Sequence, residues 1–502
     1  MTRRAGRLWM GVVAIWVGCS GPLPGRADQA SVPALLLPGT LESAGLKVHW
    51  KAKLREATPR HLHLGARSCY VETDNRQIHA LDRGNGFYKW ILPLPGALQV
   101  PPGESILGPG QGDNAARDTA YFIAGNLLSA VDIHDPAGLG RESGRLLWTE
   151  RLPFQPTTAP VATDFALAVG TSSGDVHVIQ LREDDPERYG QIRRIHALAW
   201  HYDTGGEVLA PPILPADAPD QIFSAGGGGI LISRNLHDGS LLWRYPYTGR
   251  IGAVIRALSH GVVSLPMPAA VPGAKALTRV ERTLYMGALD NTFQIIDPAE
   301  SQLLTRMLLT DGLEHPPLVV ARVLAGEAPD WTVVRDIYPV CRDGRLFAFR
   351  VEDVHRARRD EGGQPLKDDR GGLRWADEAA DGDDVSGGEV EPPEPKAPEG
   401  GEDENAAPKA RPRAFPIRWT PRELWSVPGV ERVLCRGRNG LYVIGKDRQL
   451  KLLDLASGRE RWACSLAGIL EVPTLYQEDG REGAVRFHLL DEAGAIWCLE
   501  EK

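Results

Sequence analysis

The chain is 502 residues long, 42% apolar and 24% charged, a globular mix that excludes a wholly disordered chain, a collagen and a coiled coil. Its 55 glycines and 39 prolines break long helices and favour short strands joined by turns. A formal charge of −8 leaves no basic footprint for nucleic acid.

The first residues read as an address. Thr2 to Arg7 hold three arginines, and Leu8 to Gly18 form an apolar run of eleven residues. A basic start followed by a short apolar stretch is a secretory signal, too short to span a bilayer. Two junctions stay open. Trp16-Val17-Gly18-Cys19 is similar to a bacterial lipobox, although Trp stands where Leu is usual; it makes 1–18 the signal and Cys19 a lipidated N-terminus. Gly25 and Ala27 instead supply the small residues for cleavage after Ala27. Either way the protein is expected to be exported, to the periplasm, the outer membrane or the medium, with a lipid anchor its only membrane contact. Residues 19–44 read as a flexible linker.

From about residue 45 one unit recurs, and self-similarity at this spacing points to a repeat architecture. Tyr70 to Trp90 (YVETDNRQIHALDRGNGFYKW) reads as strand, polar turn, strand, turn and a third strand ending in Trp, marked by Asp82, Gly86 and Trp90. Looser copies end at Trp148 and Trp200. Ile222 to Trp243 repeats the unit with Asn235, Gly239 and Trp243. The copy over 283–305 keeps Asp297 but places Ser301 and Thr305 in the Gly and Trp slots. Another ends at Trp425, and Tyr442 to Trp462 matches the first at identical spacing through Asp454, Gly458 and Trp462. Asp and Asn accept backbone hydrogen bonds in Asx turns, Gly tolerates positive φ, and Trp is a large wedge between sheets. Alternation in Gln77–Leu81 and Gln449–Leu453 marks half-buried strands.

Prolines 101, 160, 212, 317 and 473 each follow a slot by 11 or 12 residues. Proline is tolerated at a strand's first residue, so each is expected to open an innermost strand. The unit then has four strands, A to D, with the slot in D. At the end of the chain, strands A (Val472–Tyr476), B (Val485–Leu490) and C (Ala495–Glu500) lack a fourth. Leu46–Ala52, with Trp50 in the slot, is expected to supply it. The slots are then Trp50, Trp90, Trp148, Trp200, Trp243, Thr305, Trp425 and Trp462. The predicted fold is an all-β, eight-bladed β-propeller of four-stranded antiparallel blades over 45–502, closed by an N-terminal strand completing the last blade.

Residues 353–416 interrupt the repeat between strands C and D of blade six. Asp353 to Arg413 alone carry 17 acidic and 10 basic residues, nearly all of the chain's net negative charge. Such a composition is expected to be disordered.

The chemical motifs have simpler explanations. Gly170-Thr171-Ser172-Ser173-Gly174 matches a nucleophile elbow, but an alternating strand follows where that motif needs a helix. Gly108–Gly112 and Gly226–Gly229 read as loops, since neither opens a helix that could hold phosphate. His61, His63, Asp132, His134 and Asp135 are metal-ligand types in positions the strand and turn pattern already explains. Beyond Cys19, Cys69, Cys341, Cys435, Cys464 and Cys498 form no ligand cluster and read as buried thiols.

The unit resembles the pyrroloquinoline-quinone-like (PQQ-like) repeat, most closely at Ile78-His79-Ala80-Leu81-Asp82, Gly86 and Trp90. That family forms β-propellers and includes both quinone-dependent dehydrogenases and the non-catalytic lipoprotein scaffold of the outer-membrane β-barrel assembly machinery. The repeat is a packing motif in both. The dehydrogenases carry a vicinal Cys–Cys pair, which this sequence lacks. The resemblance therefore implies a non-catalytic, monomeric scaffold with envelope or secreted proteins as partners and no cofactor. A PQQ- and calcium-dependent enzyme, and a secreted sensor or carbohydrate-binding module, stand as alternatives.

Overall fold

The computed structural model of the protein describes residues 35–54, 57–106, 118–134, 144–184, 192–247, 254–266, 278–325, 331–355, 419–473 and 485–502. Cys19, both cleavage junctions, Gly108–Gly112, Asp135 and residues 356–416 of the insertion lie outside them.

Eight antiparallel sheets follow one another along the chain as the blades of a propeller. Blade one is typical, with strands Pro59–Leu64, Ser68–Thr73, Gln77–Asp82 and Tyr88–Pro93 in that order from the centre outward. The B strands Ser68–Thr73, Thr119–Ala124 and Leu441–Gly445 are buried at every position, because adjacent blades cover both of their faces. Seven sheets have four strands. Blade four has three, and a single bridge between Ile213 and Phe223 stands in for its inner strand.

Blade eight joins the two ends of the chain. Leu46–Lys53 pairs with Ala495–Glu501, which pairs with Arg486–Asp491 and then Ile469–Glu471. The described inner strand begins before the expected Val472–Tyr476, with Ile469 and Glu471 opposite Asp491 and Leu490; residues 474–476 of the expected strand lie outside the described residues.

The linker expected over 19–44 is ordered over its described part. Leu35 and Leu41 are buried in the cluster shared by blades seven and eight, and Pro38–Ser43 forms a short helix. Leu35 N–H donates to Ser465 O, and Lys502 N–H to Gly45 O, so this segment straps both chain ends to the ring.

The slots share one backbone device. In all eight blades the C–D ladder slips by one residue directly before the slot, as where Ala80 faces Trp90 but Leu81 faces Tyr88. A bulge of this kind re-aims the side chain that follows it. Trp50, Trp200, Trp243 and Trp425 then reach into the C–D turn of the next blade. Each donates its indole N–H to the carbonyl one residue after that turn's Asp or Asn: Arg83, Leu236, Pro298 and Leu455, at 2.9–3.2 Å. Asp82 and Asp454 brace their turns through Oδ1, which accepts the N–H groups two and three residues on; Asn235 and Asp297 accept the one two residues on. Gly86 (φ +74°), Gly239 (+73°) and Gly458 (+68°) lie under the rings of Trp50, Trp200 and Trp425, where a Cβ would come within 2.5–2.8 Å of the indole.

Candidate docking face

Antiparallel strands place all A–B and C–D connections on one side of the disc, and on that side blades five and six project next to each other, while in blade three strands C and D alone run on to Asp184 and Ile192. In blade five, Ile255–Pro266 and Thr278–Ala288 pair over their whole length, whereas strand C reaches only Leu284. Residues 261–266 and 278–283 are left as a two-stranded ribbon, roughly 20 Å long at strand rise. In blade six, Leu318–Ala325, Trp331–Tyr338 and Leu346–His355 stay paired beyond Arg350, where the outer strand Arg422–Val427 ends.

The two projections support each other. Val263 and Leu265 of blade five pack against Ala321, Val323 and Val333 of blade six in a small apolar core of their own. Arg335 has no exposed side-chain surface; it pairs with Glu281 across the blades, and its guanidinium lies 4.5 Å from the centre of the Trp419 ring. Trp419 is a residue the repeat spacing gave no reason to single out. It is buried beside Thr305, its backbone N–H donating to Leu304 O, and so adds an aromatic wedge next to the one slot without Trp.

The other side of blade six holds a charge cluster. Asp336, almost fully buried, accepts from Arg322 (2.8 Å) and Arg350 (2.7 Å) of its own blade and from Arg436 (2.8 Å) of blade seven. Burial pushes its carboxyl up, but the hydrogen bonds and charge of Arg350, with Arg322 and Arg436, outweigh that and hold it below the usual carboxylate range. Buried carboxylates paired this way position their partners more than they stabilise the fold.

The remaining candidates of the sequence fall to structural roles. Gly170–Gly174 runs from strand Ala166–Gly170 through a turn, which holds the motif's Ser172, directly into strand Asp175–Asp184, where a nucleophile elbow needs a helix. Gly226–Gly229 packs backbone to backbone on Gly205–Gly206 of the preceding blade, a Cβ on Gly228 falling 2.9 Å from Thr204 O. Asp132 accepts from the His134 N–H in its turn. His61 approaches Glu471 at 3.8 Å, and His63 is lowered to about 4 by burial and then by the charge of His61. Among the described residues no three His, Cys, Asp or Glu side chains are placed to hold a metal. Cys69, Cys341, Cys435, Cys464 and Cys498 are buried thiols; burial pushes Cys464 and Cys498 up to about 12.

Residues 120–355 match the model of the family described as "outer membrane protein assembly factor BamB". Among solved structures, BamB from Moraxella catarrhalis is 12% identical with a TM-score of 0.51, over 91% of this chain and 99% of that one. Sqt1 of Saccharomyces cerevisiae is 10% identical at 0.48, over 91% and 99%. The quinohemoprotein alcohol dehydrogenase ADHIIG from Pseudomonas putida HK5 is 12% identical at 0.47, over 91% and 76%. At these identities the likeness is one of fold. No curated protein sequence matches the chain.

Proposed function

Because the chain is a PQQ-like repeat β-propeller, we propose that it is an exported, non-catalytic scaffold that holds other proteins together in the bacterial cell envelope. The observation that carries this reading is the projection of blades five and six. It is a rigid, packed platform built where the repeat is broken, and it leaves Val262, Val280, Leu324 and Val354 between 43% and 50% exposed. Two pairs of exposed apolar side chains, one on each outer side of a packed element, suit a protein partner better than a small ligand. The matching family, described as an assembly factor of the outer membrane, supports an envelope setting for that partner. Export rests on residues 1–27 and anchoring on Cys19, as read from the sequence.

Affinity purification after cross-linking in the envelope tests this. The expected result is a defined protein complex, together with no quinone uptake or dye-linked alcohol oxidation by the purified protein supplied with PQQ and calcium. Stoichiometric quinone binding with alcohol oxidation, and no co-purifying protein, would overturn it. Metabolic labelling with a palmitate analogue tests the anchor: label on the wild type and not on Cys19→Ser is expected, and an unlabelled wild type refutes it.

A further inference from the structure

The two sides of the blade-six projection are unequal. Directly opposed residues of antiparallel strands point to the same side, so the register sorts its side chains into two faces. Ala321, Val323 and Val333 face blade five and are packed there. The other face carries three rows: Val320, Asp336 and Arg350 nearest the ring, then Arg322, Val334 and Glu352, then Leu324, Thr332 and Val354 at the tip.

This second face has unmet demands of two kinds. Leu324 and Val354 are each 50% exposed, and Thr332 lies between them in the same row. Beneath this apolar row, the Asp336 carboxylate already accepts four hydrogen bonds from three guanidinium groups. It is nearly saturated, and the charge around it remains positive even when Glu352 is counted. The Arg322 side chain is 40% exposed, and its Nε–H is buried with no partner among the described residues. A buried donor left unpaired costs about 1–3 kcal/mol, which an arriving carboxylate removes. Asp336 also holds the arginines in place, so a ligand need not order them.

We propose that this face docks a segment of a partner protein that presents a carboxylate beside apolar side chains, the carboxylate bonding Arg322 and Arg350 and the apolar groups covering Leu324, Thr332 and Val354. The proposal rests on the scaffold reading and adds to it a position and a partner chemistry.

Two measurements test it. The first titrates the purified protein with a blocked peptide of alternating Leu and Glu, and with its Leu and Lys counterpart. The Glu peptide is expected to bind with an affinity that falls as salt rises, and the Lys peptide not to bind. Arg322→Gln at a half-buried position and Leu324→Ser at an exposed one should each weaken the Glu peptide about tenfold. No binding of the Glu peptide, equal binding of the two peptides, or variants that bind like the wild type overturn the proposal. The second places a photo-crosslinking amino acid in the envelope-expressed full chain at position 324 or 354, and separately at 146 or 242 on the outer strands of blades two and four. Adducts to a protein at 324 and 354, lost on adding Arg322→Gln, are expected. Adducts only at 146 or 242 refute this face while leaving the scaffold reading standing; adducts at none of the four refute both.

Discussion

Trp462 offers a controlled test of how the blades are joined. The slot tryptophans at 200, 243 and 425 donate their indole N–H to a carbonyl in the next blade's C–D turn. The next blade after Trp462 is blade eight, whose strands C and D come from opposite ends of the chain, so no C–D turn exists there. The Trp462 indole N–H is buried and has no partner among the described residues. Replacing a slot Trp with Phe shrinks the wedge in every case, and that packing loss is common to all. At 50, 200, 243 and 425 it also removes a hydrogen bond and strands a carbonyl, a further cost of about 1 kcal/mol that does not arise at 462. Trp243 and Trp462 are both half-buried, which makes them the best-matched pair. In urea unfolding followed by circular dichroism, Trp243→Phe should lose about 1 kcal/mol more than Trp462→Phe. Equal losses, or a larger one at 462, would refute the idea that the indole N–H joins the blades.

Gly86→Ala should cost several times more than Gly468→Ala in the same assay: both have positive φ, but only at 86 would the Cβ meet a ring, 2.5 Å from Trp50. Leu35→Ala should cost about 2–5 kcal/mol, because the side chain is fully buried in the strap; a change under 1 kcal/mol would return residues 35–44 to linker. Acid should weaken the ring. Burial, reinforced by a neighbouring charge, His61 at His63 and Arg83 at His488, lowers both histidines to about 4. The unfolded chain then binds more protons below about pH 6.5, so stability is full above that value and is lost as pH falls toward 4. Urea midpoints at pH 7.5 and 5 should differ for the wild type and differ less for His488→Gln, and a pH-independent midpoint would contradict this.

What was legible in the sequence is what is local. An Asx turn, a glycine at positive φ and a Trp at fixed spacing are all properties of ten or so consecutive residues, and Asp82, Gly86 and Trp90 announce them together. The middle strands were legible as apolar runs. The bulge before every slot was not, since it is a property of the pairing and leaves no required residue type: Lys89, Leu147, Ala199 and Arg461 all occupy it. The arginine cluster was hidden for a related reason. Arg322, Asp336 and Arg350 are 14 residues apart in turn, and Arg436 is 100 from Asp336. Only the antiparallel register of three strands, and the closure of blade six on blade seven, brings them together.

The repeat consumes the side chains that define it. The Asp carboxylate is spent on turn N–H groups, the Gly on room for a ring, and the Trp on the next blade, so none of the three is free to meet a partner. A surface with a function of its own must therefore arise where the repeat is broken. It is broken twice in succession, by Thr305 in place of Trp and by the long interval to Trp425. These two breaks flank the projecting strands of blade six, which pack on those of blade five, and Trp419 fills in beside the first of them. There the strands run past the disc, Arg335 is buried against Trp419, and the opposite face carries the arginines. Had the projection been a random lengthening of loops, its inner side would not have its own core in Val263, Leu265 and Val333, two of which are fully buried.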